Sequence, residues 1–182
     1  LEEALRVANE IYATIGLQFE FSVDVEPTDE TLDGYYTDND FKTRTNLDRP
    51  LQQYPTELRY IITKYGTGGS PDFSATNPPA VFFVPVRIND GAHQGTAFGD
   101  PAHDFYGHAF LSLPDMLPVT LAHELAHLLG YYGRHYNETS PWEKKFNVVP
   151  VYGEHFNNYH QDSKRIDPQQ ERLFLASPLI SQ

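Results

Sequence analysis

Apolar positions in the first fifteen residues recur at helical spacing. Leu5, Val7, Ala8, Ile11, Tyr12 and Ile15 predict a helix, and Gly16 supplies a natural stop. The period then changes. Leu17-Gln-Phe-Glu-Phe-Ser-Val-Asp-Val25 alternates apolar and polar, the pattern of a half-buried strand. Residues 26–50 follow neither period and carry Asp29, Glu30, Asp33, Asp38 and Asp40. Those carboxylates would suit calcium, but their order matches no EF-hand loop, so a solvated loop is expected there. Leu51 to Tyr65 predicts a second helix, ended by Gly66-Thr-Gly-Gly69. The continuous apolar run Val81-Phe-Phe-Val-Pro-Val-Arg-Ile88 predicts a buried strand. Short strands are expected at Gly95-Thr-Ala-Phe98 and Gly107-His-Ala-Phe-Leu-Ser112, around the turn Gly99-Asp-Pro-Ala102. A third helix is expected from about Pro118 to Tyr131. Residues 132–166 read as irregular. Asp167 as N-cap and Pro168 in the first position then open a last helix that runs to Ala176.

This order of elements implies α/β (α+β) layering in a single domain spanning residues 1–182, a length sufficient to bury a substantial core. Hydrophobic residues at 40%, with 14% aromatic, fit a folded globular chain. A net charge of −12 argues against nucleic acid or an anionic membrane as partner, since both would repel it. The chain has no cysteine, so disulfides and thiolate ligands are excluded and a metal would have to be held by His, Asp or Glu. The longest apolar run, Ala80 to Val86, is too short to span a bilayer. The chain opens directly in the helix-like Leu1-Glu-Glu-Ala-Leu-Arg-Val-Ala8 with no signal peptide. Such a start is expected of a mature domain whose leader has been removed, and a secreted, monomeric protein is the expectation.

The chemistry is concentrated at His123-Glu-Leu-Ala-His127, inside the apolar stretch from Leu117 to Gly130. Histidines four apart on a helix differ by about 40° in direction, so both imidazoles leave one face. That is the spacing at which two nitrogens can bind one zinc ion. Glu124 lies beside them, where it can act on water without ligating the metal. A third ligand and an open position would complete a catalytic site. Peptide hydrolysis would follow, with Glu124 taking the proton of the attacking water and passing it to the leaving amine. The plainer reading is two core or surface histidines on a helix.

The motif and its surroundings resemble the metzincin clan of zinc endopeptidases, which implies a zincin fold with a mixed twisted sheet, an active-site helix and a C-terminal helix. It also implies an N-terminal subdomain of about residues 1–130 and a C-terminal one of about 131–182. In that clan the motif runs through a glycine, here Gly130, to a third ligand six residues after the second histidine. That position is Gly133, so the resemblance assigns the third ligand to His135, two residues further on. Asn157-Asn-Tyr-His-Gln-Asp-Ser163 is similar to the segment around the clan's methionine turn. The one methionine is Met116, however, and Tyr159 takes the place in the turn, implying support beneath the metal or an oxyanion contact. Gln94-Gly-Thr-Ala-Phe98 resembles the edge strand that receives substrate, which makes Gly95, Thr96, Ala97 and Phe98 candidate substrate-binding residues. Residues 136–165 would wall a pocket with a hydrophobic or aromatic preference.

Other readings stay open beside this one. His103-Asp104 with His108 resembles a second, structural zinc site, and His160 is a substitute third ligand. Glu154 would serve as third ligand in a gluzincin-like peptidase. A zinc-binding module that has lost catalysis is a further alternative. Asn137-Glu-Thr139 matches the glycosylation sequon. The expectation is a zinc-dependent endopeptidase acting on a peptide or protein substrate.

Overall fold

The computed structural model describes residues 1–22, 40–41, 56–65, 79–88, 94–100, 106–130 and 164–180. Helix α1 (Glu2–Ala13) forms where the helical spacing placed it and buries Ala4, Val7, Ala8, Ile11 and Tyr12. Glu2 and Glu3 in its first turn complement the helix dipole. On its exposed face Arg6 pairs with Glu3 and Glu10, a contact with little effect on stability. Gly16 adopts φ +78°, a left-handed conformation, and turns the chain out of the helix.

The alternation after Gly16 is real as burial but not as a ladder. Leu17, Phe19 and Phe21 are half-buried and Gln18, Glu20 and Ser22 exposed, yet residues 17–22 pair with no strand among the described residues. A side chain stands in for the partner. Asn9 Nδ2 donates to the Phe19 carbonyl (3.1 Å), and the Phe19 N–H donates to Asn9 Oδ1 (2.7 Å). The expected strand is thereby corrected to an extended segment over these six residues. Residues 23–25 lie outside the described residues.

Strand β1 (Asp40–Phe41) falls inside the stretch expected to be loop and pairs in parallel with β3 (Arg87–Ile88). Helix α2 (Thr56–Tyr65, 10 residues) covers the last two thirds of its predicted span; residues 51–55 and its expected stop at 66–69 are outside the described residues. Its Ile61 and Ile62 pack with Val84, Val86, Ile88, Phe98 and Phe110. The single strand expected over 81–88 is two: β2 (Ala80–Val84) and β3, which belong to different sheets. Pro85 lies at the break, where a residue without an N–H cannot continue the ladder.

The main sheet has the order β2-β5-β4, with β4 (Gly95–Phe98) and β5 (His108–Ser112) as expected. Strand β2 runs parallel to β5, from Ala80 opposite His108 to Val84 opposite Ser112. Strand β4 is antiparallel to it, from Gly95 opposite Leu111 to Phe98 opposite His108. All five residues of the central strand β5 are buried. Helix α3 (Thr120–Leu128) packs against α1, β4 and β5. Helix α4 (Pro168–Leu175) begins as predicted, with the Asp167 carboxylate accepting from the N–H groups of Gln169 and Gln170, both at 2.9 Å. Its Phe174 is fully buried against Tyr12, ring centroids 5.6 Å apart. The described residues thus form a mixed α/β structure whose main sheet is small, mixed and three-stranded. Helix α3 lies in the main core, between the α1 face and the sheet.

Candidate metal centre

Helix α3 is held at both flanks. Thr120 Oγ1 accepts from the Leu117 N–H (2.9 Å) and donates to Gln94 Oε1 (2.7 Å), while the Gln94 carbonyl accepts from the Ser112 N–H (2.9 Å). Gln94 therefore joins the start of β4, the end of β5 and the first turn of α3. From α1, the Tyr12 hydroxyl donates to the Ala122 carbonyl at 2.8 Å. The helix ends at Leu129-Gly130, with Gly130 at φ +116°. Eight of its nine residues are buried, polar Thr120, His123 and Glu124 among them. His127 is the one residue of α3 that is not buried, so the site opens toward it.

On this helix His123 and His127 meet as the spacing predicted. Their rings stand 4.7 Å apart at 82°, and the two Nε2 atoms are 3.0 Å from each other. Two nitrogens each about 2.0–2.1 Å from one tetrahedral zinc would be separated by roughly 3.3 Å. The pair therefore fits two positions on one such ion with a shift of a few tenths of an ångström. His123 is 1% exposed, so its ring direction is set by packing.

Glu124 is buried at 3% exposure, and burial raises its carboxyl pKa to about 8. The carboxyl lies against the main chain of Gly95. A Cβ on Gly95 would stand 2.6 Å from Glu124 Oε1 and 2.7 Å from its Cγ. Helix α3 and strand β4 thus touch at the acid itself.

No family model, no curated protein and no solved structure matches this chain.

The four residues of β4 divide by role. Phe98 is buried, packing edge-on to Phe110 with centroids 6.4 Å apart, whereas Gly95, Thr96 and Ala97 are half-buried. Gln94 and Phe98 turn their carbonyls toward β5, where Ser112 and Gly107 donate to them. Antiparallel alternation then turns the N–H and C=O of Gly95 and Ala97 to the opposite edge. Among the described residues no strand pairs with that edge.

Among the described residues no group of three or more His, Cys, Asp or Glu is placed to hold a metal ion. His135, Tyr159, Glu154, His160, His93, His103, Asp104 and Asn137 lie outside the described residues, as does the acidic stretch 26–50 apart from Asp40–Phe41. His108 is fully buried in β5, stacked on Phe82, with Nδ1 3.1 Å from the Tyr106 carbonyl. Among the described residues no helix is long and apolar enough to cross a membrane. Sequence reasoning passed over Gln94, Thr120 and Tyr12 as supports of the site, and Gly99 as a contact. The spacing Gly95–Gly99 was the available signal, since glycine within a strand often marks a close backbone approach.

Proposed function

We propose that the chain is a zinc-dependent endopeptidase with a metzincin-like fold. The observation that carries this reading is the convergence of His123 and His127 Nε2 to 3.0 Å beside a buried glutamate, on a helix open only at His127. His123 and His127 supply two ligands, and His135 is proposed as the third. Zinc, when bound, polarises a scissile carbonyl and brings the ionisation of the attacking water toward neutrality. Burial alone holds the Glu124 carboxyl protonated, with a pKa of about 8, and a doubly charged ion held beside it by His123 and His127 would favour the carboxylate. In that form Glu124 takes the proton from the water and delivers it to the departing amine. Gly95 and Ala97 offer outward N–H and C=O groups to an extended peptide, which would lie along β4 as an added strand. That edge runs past Glu124, so a peptide seated on it would be presented to the base. The substrate is a peptide or protein chain, and a secreted location is part of the proposal.

The test is zinc stoichiometry measured together with cleavage of a peptide library. Wild-type protein should bind one zinc and cleave, and Glu124→Ala should keep the zinc and retain only a small residual rate of cleavage. Equal cleavage by both would overturn the enzyme assignment. Bound zinc with no cleavage by either would instead support a zinc-binding module. Replacing His135 with Ala should sharply reduce zinc content, and full retention would refute its assignment as ligand.

A further inference from the structure

We infer that Gly95 is a positioning residue for the Glu124 carboxyl, fixing where the proposed base sits beside the metal ligands. The inference rests on the endopeptidase reading for its catalytic consequence, but its geometry stands apart from it.

Gly95 is not required by backbone conformation. The described glycines with positive φ are Gly16, Gly107 and Gly130, and Gly95 is not among them. What requires glycine is space. A Cβ at this position would lie 2.6 Å from Oε1, 2.7 Å from Cγ and 2.8 Å from Cδ of Glu124, all closer than real Cβ contacts come. Neither main chain can readily yield. Strand β4 is in register with β5 at Gly95–Leu111, and the preceding Gln94 is tied to Ser112 and Thr120. Helix α3 is held by Gln94 at its first turn and by Tyr12 at Ala122. The part that can move is the end of the Glu124 side chain. A methyl group at 95 would therefore push aside the carboxyl rather than separate strand from helix.

Gly99 gives the contrast. A Cβ there would lie 1.8 Å from the His127 carbonyl oxygen, which no side-chain rotation can relieve. One glycine seats a functional group; the other seats a main chain.

The experiment is the Gly95→Ala variant read in the wild-type, Glu124→Asp and Glu124→Ala backgrounds. In the wild-type background we expect kcat to fall on the order of 100-fold, the scale of a misplaced catalytic group. KM should stay within about twofold, and zinc content and the visible spectrum of the cobalt-substituted protein should not change, because the histidine nitrogens are untouched. Glu124→Asp shortens the side chain by one methylene, so the added methyl should reduce its kcat by less than about tenfold. In Glu124→Ala the methyl should have no further effect on rate. Retained kcat in Gly95→Ala, or an equal loss in the Glu124→Ala background, would overturn the inference. Urea unfolding of the metal-free variants supplies a readout independent of activity. The methyl should lower the folding equilibrium constant about tenfold or more with Glu124 present and much less with Ala at 124. Equal effects in both would overturn the contact itself. Wild-type protein that holds zinc without cleaving would bring down the endopeptidase reading alone and leave this unfolding cycle to decide the Gly95 contact.

Discussion

Gly99 and His127 share a space that admits no side chain: a Cβ on the glycine would stand 1.8 Å from the histidine's carbonyl oxygen and 3.3 Å from Leu128 Cα. The chain leaving β4 therefore abuts the last turn of α3, main chain against main chain. Gly99→Ala is expected to destabilise the protein by about 3 kcal/mol or more, since the overlap can be relieved only by moving strand from helix. Urea unfolding measures it, and an unchanged midpoint would contradict the close approach.

The proposed metal should be visible in stability as well as in activity. A ligand bound only by the folded chain stabilises it by about 2.7 kcal/mol at a free concentration 100 times Kd. Added zinc should raise the thermal midpoint and EDTA should reverse the rise. Neither His123→Ala nor His127→Ala should respond at the same zinc concentration. An identical shift in these variants would place the bound zinc elsewhere.

Tyr12 gives the chain an alkaline dependence of known sign. Its hydroxyl is buried, donates to the Ala122 carbonyl and has a pKa raised well above 10 by burial. Below pH 10 the folded and unfolded chains both keep the proton, so the contribution is fully present. Above that the unfolded chain ionises first, and stability is lost as pH rises toward the folded value. Tyr12→Phe should cost about 1 kcal/mol at neutral pH through the lost hydrogen bond. The difference between wild type and variant should then shrink above pH 10. Urea midpoints of both proteins between pH 8 and 11.5 would check this, and parallel curves would contradict it.

Asp167 is the N-cap of α4 and is itself largely buried, with Oδ1 serving two main-chain donors. Asp167→Ala should lower stability by about 1 kcal/mol, and Asp167→Asn should retain most of it, because the amide oxygen can accept in the same place. Thermal unfolding of the two variants distinguishes a cap from a general effect of charge.

Local pattern announced α1, β4, β5, α3 and α4, because each carries its own period, cap or stop within a few residues. Where pattern and structure part, the cause is non-local. Leu17 to Ser22 kept the burial alternation of a strand, but the partner is Asn9, a side chain eight residues before that segment. The apolar run over 81–88 looked continuous because Pro85 is itself apolar, although it removes a donor where the ladder divides. Asp40–Phe41 is too short to show any period, and only Arg87–Ile88 reveals it as a strand. At the site the pairing of His123 with His127 could be read from a spacing of four. The seat of Glu124 on Gly95 joins residues 29 apart and is fixed only when sheet and helix pack.

Eight of the nine residues of α3 are sealed from solvent, and the ninth is His127. Solvent isotope exchange at these amides would need the surrounding core to open, so the helix belongs to the most slowly exchanging unit of the molecule. A small ion approaching from the His127 side would need no such opening. The proposed zinc would therefore be expected to exchange at the histidines on a clock separate from global unfolding.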